Sequence, residues 1–294
     1  MTAPTGIPST IPPTIPANTP PDILLFRHAA TDMRDGPRRY IGRTEVPLSH
    51  EGRAQAAAWR TRLAALDVVG AYASPLERSR ETARLMLGQG DSPDSANAPG
   101  ASDASATSGA SGTAAIPVTI LDDLAEMDLG EWEGLVQMQV RETRPDAYAR
   151  RGREPWTFRP PRGECCADVA ARALRALDAM WRDRAGEGAC ARARGLTAGQ
   201  QSLSGSCGGH GPFIMAVSHA GLIRSLLCAL GHMGREQLFT LPVRHLHCVR
   251  LRRTAPDGGS LMGGPGGSTG PTGPTGPVVG TGAPWKVVSS DWQP

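Results

Sequence analysis

The chain has 294 residues, a net charge of +3, 36 Gly and 26 Pro, but only 4% aromatic residues. That length holds one large domain or two small ones, while the Gly and Pro content withdraws several segments from any core. Of the 31 basic residues all but Lys286 are arginine, but they are spread among acids with no basic run, which argues against a nucleic-acid interface. The six cysteines include no Cys-x-x-Cys pair, and Cys165 and Cys166 are adjacent, so a disulfide framework is excluded. The Pro/Thr-rich start lacks the basic and apolar regions of a signal peptide, and no apolar run reaches the length of a membrane span. A cytoplasmic protein without membrane contact is expected; composition leaves the oligomeric state open.

Residues 1–21 read as a disordered tail. Residues 22–26 hold an apolar run, Ile23 to Phe26, the mark of a buried strand, and it ends in Arg27-His28. A polar loop holding Arg34, Arg38, Arg39 and Arg43 follows. Ser49 is placed to cap a helix, with Glu51 in its first turn and Ala56, Trp59, Leu63 and Leu66 at helical spacing. Residues 68–73 read as a strand, and Ser74-Pro75 as the opening of a helix that carries Arg78. This βαβα order predicts a three-layer α/β/α sandwich around a mostly parallel sheet.

Residues 88–116 read as a low-complexity insertion, and 117–121 as a third strand running into an acidic loop with Glu126, Asp128, Glu131 and Glu133. A short helix after Gly134 and an irregular stretch to Gly163 are expected. Val169, Ala173, Leu177 and Met180 then mark an amphipathic helix. After a second low-complexity segment, 186–211, comes a strand at 213–217 ending in Ser218-His219, then an apolar helix at 222–230. Two strands, 246–251 and 285–288, flank a third such segment, 254–283. One domain from residue 22 to 294, carrying these three insertions, is the expectation.

Ligands bind at the carboxyl ends of strands in such sheets. Two strands end in histidine, His28 and His219; a helix start offers Arg78 and a loop offers Glu126. Each alone would pass for an ordinary loop histidine or solvated charge. Together they are a nucleophile, cationic clamps and an acid, the inventory for phosphoryl transfer without a metal or cofactor. His245 and His247, two apart on an expected strand, would share a face but lack a third ligand. Cys165-Cys166 suit capping or packing better than reactive thiols.

Five blocks in order resemble the histidine phosphatases, the phosphoglycerate mutase-like superfamily. They are Arg27-His28-Ala29-Ala30-Thr31; Tyr40-Ile41-Gly42-Arg43-Thr44 with Glu51-Gly52; Ser74-Pro75-Leu76-Glu77-Arg78 with Thr82-Ala83; Glu126 with Trp132-Glu133-Gly134; and Val217-Ser218-His219-Ala220-Gly221 with Arg224. The resemblance implies that His28 becomes phosphohistidine, that Arg27, Arg78 and His219 hold the phosphoryl oxygens, and that Thr31 adds a hydroxyl. Arg43 is placed with the phosphate-binding residues. Glu126 would act as acid, then base. It must carry a proton in the first step, which burial or Asp128, Glu131 or Glu133 nearby would favour. The loop blocks look more like the phosphatase branch, especially alpha-ribazole phosphatases of cobalamin synthesis, so the expected substrate is a small phosphomonoester such as alpha-ribazole 5'-phosphate. A phosphoglycerate mutase and a non-catalytic phosphate-binding scaffold are the alternatives. Ala29 and Ala30 stand where the family usually has Gly and Glu; Ala29 would be strained if that position needs φ > 0.

Overall fold

In β1 (Asp22–Arg27) the side chains alternate between two cores, which is why the sequence shows an unbroken apolar run. Ile23 and Leu25 face one cluster; Leu24 and Phe26 face the other. The computed structural model describes residues 19–32, 36–89, 116–185, 211–254 and 284–290. Most of the expected tail, the three low-complexity segments and Arg34 lie outside the described residues.

The other strands are β2 (Val68–Ala73), β3 (Val118–Ile120), β4 (Phe213–Ser218), β5 (Cys248–Arg253) and β6 (Trp285–Ser289). They form one sheet in the order β3-β2-β4-β1-β5-β6. β1 to β4 are mutually parallel, and β5 runs antiparallel to both β1 and β6. The expected three-layer, mostly parallel sandwich is thus observed.

Helices α1 (His50–Ala64) and α2 (Glu77–Met86) cover one face, burying Ala56, Trp59, Leu63, Ala83 and Met86 against Leu24, Phe26 and Met215. Helices α5 (Cys166–Ala185) and α6 (Ala220–Ala229) cover the other, with Val169, Leu177, Met180, Leu222 and Leu226 in its core. Each fully buried Leu, Ile or Phe contributes about 1.5–3 kcal/mol, so these two layers dominate the stability of the fold. Ser49 caps α1, its hydroxyl accepting from the Gly52 amide.

Several local expectations shift. α2 begins at Glu77, so Ser74-Pro75 lies in the preceding turn, and the Glu45 carboxylate receives the Glu77 amide. The short helix expected after Gly134 is α3 (Gln137–Thr143), and the stretch expected to be irregular beyond it contains a further helix, α4 (Pro145–Arg153). α4 buries no residue on the core, so no apolar period announces it. β5 starts at Cys248, leaving His245 and His247 in the loop before it.

Candidate active site

The carboxyl ends of the adjacent strands β1 and β4 carry His28 and His219, whose ring centroids are 5.2 Å apart. His28 Nδ1 lies 2.8 Å from the Ala29 carbonyl oxygen. A carbonyl only accepts, so the proton is on Nδ1 and Nε2 carries the lone pair. Burial, then Arg27 and Arg78, hold the His28 pKa well below its ordinary value, so the ring is neutral at physiological pH.

His219 is fully buried. Its Nε2 is 2.7 Å from Ser74 Oγ and 3.2 Å from Ser79 Oγ, while Nδ1 has no hydrogen-bond partner among the described residues. With a serine hydroxyl donating to Nε2, the ring proton sits on Nδ1. Burial, then the neighbouring His28 and Arg78, push its pKa well down too.

These two histidines tie stability to pH. The unfolded chain takes up their protons below about pH 6.5 and the folded chain does not. Their contribution is complete above that value and is lost as pH falls toward the folded-state pKa. With His245, whose folded pKa is about 4, taking the pH from 7.5 to 5.5 is expected to lower the unfolding free energy by about 3–4 kcal/mol, read from urea midpoints at the two values. An unchanged midpoint would contradict buried neutral histidines.

Arg27 donates through Nη1 to the Val243 carbonyl at 2.7 Å, while its buried Nε has no partner among the described residues. Arg78, 3% exposed at the start of α2, donates to the carbonyls of Gly42 and Thr44. Glu133 pins that same loop, accepting from the Gly42 and Thr44 amides and from the Thr44 hydroxyl. Burial lowers the pKa of both arginines, that of Arg27 to about 10, and both stay charged.

Glu126 follows a short 3-10 turn (Asp122–Leu124). Its carboxylate accepts from its neighbour Met127 N at 2.8 Å and from Gly221 N, in the first turn of α6, at 3.1 Å. The backbone under it is held by Arg172 of α5, buried and paired with Glu164, which donates to the carbonyls of Asp123, Ala125 and Glu126. The charged groups acting on Glu126 include Arg27, Arg78 and Arg224. The expected carboxylate neighbours are engaged elsewhere: Asp128 with Arg43, Glu131 with Arg144 and Arg162, and Glu133 with the 42–44 loop.

A Cβ on Gly221 would sit 2.4 Å from Glu126 Oε1. Gly221→Ala is therefore expected to displace the carboxylate and lower kcat about 10- to 100-fold, with little change in melting temperature. Unaltered kcat would show that the Glu126 position does not matter.

Arg27, His28, Thr31, Arg78 and Glu126 line one cleft of about 360 Å³, with His219 enclosed behind His28. Arg43 is not brought into it. The 42–44 loop is pinned on both sides, and Arg43 turns outward to Asp128 and Glu164 at 3.9 and 3.6 Å. The cleft also holds Arg39, Arg151, Arg224 and His245, none of them singled out from the sequence as binding residues. His245 is 5.6 Å from His28 between ring centroids, its pKa pushed down to about 4 by burial and Arg27. His245 was visible only as half of a pair with His247. Cys165 and Cys166 have raised pKa values, chiefly from burial, and fit the packing role. Neither Ala29 nor Ala30 has positive φ, so the feared strain is absent; Ala29 N donates to Thr82 Oγ1 at 3.0 Å.

Comparison with known proteins identifies the family. The family model "Histidine phosphatase superfamily (branch 1)" matches residues 23–96 and 104–262. The "Bifunctional protein Rv2228c" of Mycobacterium tuberculosis is 32% identical over 59% of the chain, a match spanning 41% of that protein's own length. A "2,3-bisphosphoglycerate-dependent phosphoglycerate mutase 2" of Gloeobacter violaceus is 26% identical over 77% of the chain and 82% of its own length. A "Glucosyl-3-phosphoglycerate phosphatase" of Mycolicibacterium vanbaalenii is 29% identical over 71% of the chain and 73% of its own length. Among solved structures, the native mycobacterial glucosyl-3-phosphoglycerate phosphatase superposes with a TM-score of 0.55 at 24% identity, covering 79% of this chain and 90% of that one. The alpha-ribazole phosphatase from Shigella flexneri gives 0.52 at 21%, covering 79% and 91%, a likeness of fold. The chain belongs to the histidine phosphatase superfamily, branch 1.

Proposed function

We propose that the chain hydrolyses a small phosphomonoester through a phosphohistidine at His28. The observation that carries this is a buried, neutral His28 with its tautomer fixed by the Ala29 carbonyl, in a cleft shared with Arg27, Arg78 and Glu126. Nε2 attacks phosphorus, the ester P–O bond breaks, and Glu126 gives its proton to the departing oxygen. Glu126 then takes a proton from water, which attacks the phosphohistidine; the P–N bond breaks and inorganic phosphate leaves.

Arg27, Arg78 and the His219 Nδ1–H bind the non-bridging oxygens, with Thr31 adding a hydroxyl. Donors held before the reaction lower its barrier without reorganising, and arginines supply the charge a metal would otherwise supply.

Alpha-ribazole 5'-phosphate, expected from the sequence, is one candidate substrate; glucosyl-3-phosphoglycerate, in the name of one relative, is another. A second reading, phosphoglycerate mutase, is favoured by similarity to the Gloeobacter protein of that name. The test is phosphate release from an aryl phosphate with chelator present, run beside an isomerase assay with bisphosphorylated primer. His28-dependent phosphate release without isomerisation supports the hydrolase. Primer-dependent isomerisation supports the mutase, and neither activity refutes both.

A further inference from the structure

The His28 ring is only as well oriented as the backbone that holds it. On one side the His28 amide donates to Ser218 O at 2.9 Å, and on the other the Ala30 carbonyl accepts from Ser49 N at 3.0 Å. Between these anchors the Ala29 carbonyl fixes the imidazole, accepting from Nδ1 at 2.8 Å. The peptide before that carbonyl ends in the Ala29 amide, which donates to Thr82 Oγ1 at 3.0 Å.

Thr82 lies in α2, one turn after Arg78, and is fully buried. Its hydroxyl donates to the Arg78 carbonyl at 2.6 Å. That bond alone is ordinary, because a helical threonine commonly gives its proton to the carbonyl four residues back. The second contact sets Thr82 apart. With its one proton committed to Arg78 O, the oxygen can only accept from Ala29, so the sense of both bonds is fixed. The branched side chain adds a stiff χ1. One hydroxyl thus ties the backbone beside His28 to the residue that carries the clamping guanidinium.

Ala29 is fully buried as well, so an Ala29 amide without this acceptor has no solvent to turn to. Its peptide would rotate toward another acceptor and carry with it the carbonyl that holds Nδ1. An imidazole released from that carbonyl exchanges between its two neutral tautomers. Only the one protonated at Nδ1 has a lone pair on Nε2.

We propose that Thr82 is a positioning residue for the nucleophile: through the Ala29 amide it keeps the His28 proton on Nδ1 and the Nε2 lone pair free for phosphorus. This rests on the reading of His28 as nucleophile, and it assigns a role to a side chain that lines no part of the cleft.

The test uses full-length protein isotope-labelled at its histidine nitrogens, the His28 signals being assigned by their loss in His28→Ala. NMR of the unsubstituted protein is expected to show the His28 proton on Nδ1. Thr82→Val keeps the shape and removes the hydroxyl. It should give a mixture of His28 tautomers and lower kcat roughly 10- to 100-fold, with KM changed by less than about 3-fold because Arg27 and Arg78 still bind the phosphoryl group. Thr82→Ser restores the hydroxyl and should return kcat to within about 3-fold. Tyr72→Phe removes another buried hydroxyl, bonded to Asp183 and outside the cleft lining, and should change neither kcat nor the tautomer.

A His28 protonated at Nε2 in the unsubstituted protein overturns the proposal. So does a Thr82→Val protein with an unchanged tautomer or an unchanged kcat, and so does an equal loss in Thr82→Ser or Tyr72→Phe. If Thr82→Val does not fold, Thr82→Ala is read by the same criteria. Failure of the phosphatase reading is seen separately, as the absence of His28-dependent phosphate release from an aryl phosphate by the unsubstituted protein, whereas the tautomer is read without turnover.

Discussion

Replacement of His28 by Ala is expected to lower kcat for phosphomonoester hydrolysis by at least about 10⁴-fold. No other group in the cleft offers the same combination of lone pair, burial and neutrality. His219 is enclosed with its Nε2 committed to Ser74, and His245 stands at the rim. The Ala variant should still fold, because His28 contributes no core packing beyond its own ring and its backbone amide keeps its bond to Ser218 O at 2.9 Å. Steady-state phosphate release, with circular dichroism as the control for folding, measures this. Residual activity within 10-fold of the unsubstituted protein, roughly, would mean that another residue attacks phosphorus.

Glu126→Gln is expected to act in a way that depends on the leaving group. An alkyl phosphate releases a strongly basic oxygen that must be protonated as it departs, so kcat should fall about 10²- to 10⁴-fold. An aryl phosphate with an acidic phenol needs little protonation and should lose much less in the first step. Gln keeps an acceptor oxygen for one of the two amides that Glu126 serves, that of Gly221, and loses the one for Met127, so circular dichroism is the control for folding. Measuring burst and steady-state rates on both substrates separates phosphorylation from hydrolysis of the intermediate. Equal losses on both substrates in the phosphorylation step would remove Glu126 as the acid.

The pattern of what the sequence disclosed follows from burial. β1 and β4 are covered on both faces, so their apolar runs are unbroken and end at the two histidines. Side chains at such ends are fixed by the strand itself, and His28, His219 and Arg27 could be located from the chain alone. Residues fixed by long-range contacts could not. Arg172 reads as one polar position on an amphipathic helix, yet it is buried and holds the backbone of Glu126. Arg43 and Arg78 both belong to recognisable blocks, but only the hydrogen bonds of Arg78 to Gly42 and Thr44 show which of them faces the cleft. Arg151 was hidden because α4 has no apolar stripe to mark it as a helix, and its partners Phe239 and Tyr40 are distant in sequence.

The central claim is that His28 becomes covalently phosphorylated. Rapid quench of the protein during turnover of an aryl phosphate, followed by mass spectrometry of its peptides, tests this directly. The expected result is an acid-labile, alkali-stable phosphoryl group on His28, accumulating further in Glu126→Gln if hydrolysis of the intermediate needs that carboxylate as base. Turnover with the phosphoryl group on a serine, on His245, or on no residue at any quench time would contradict it.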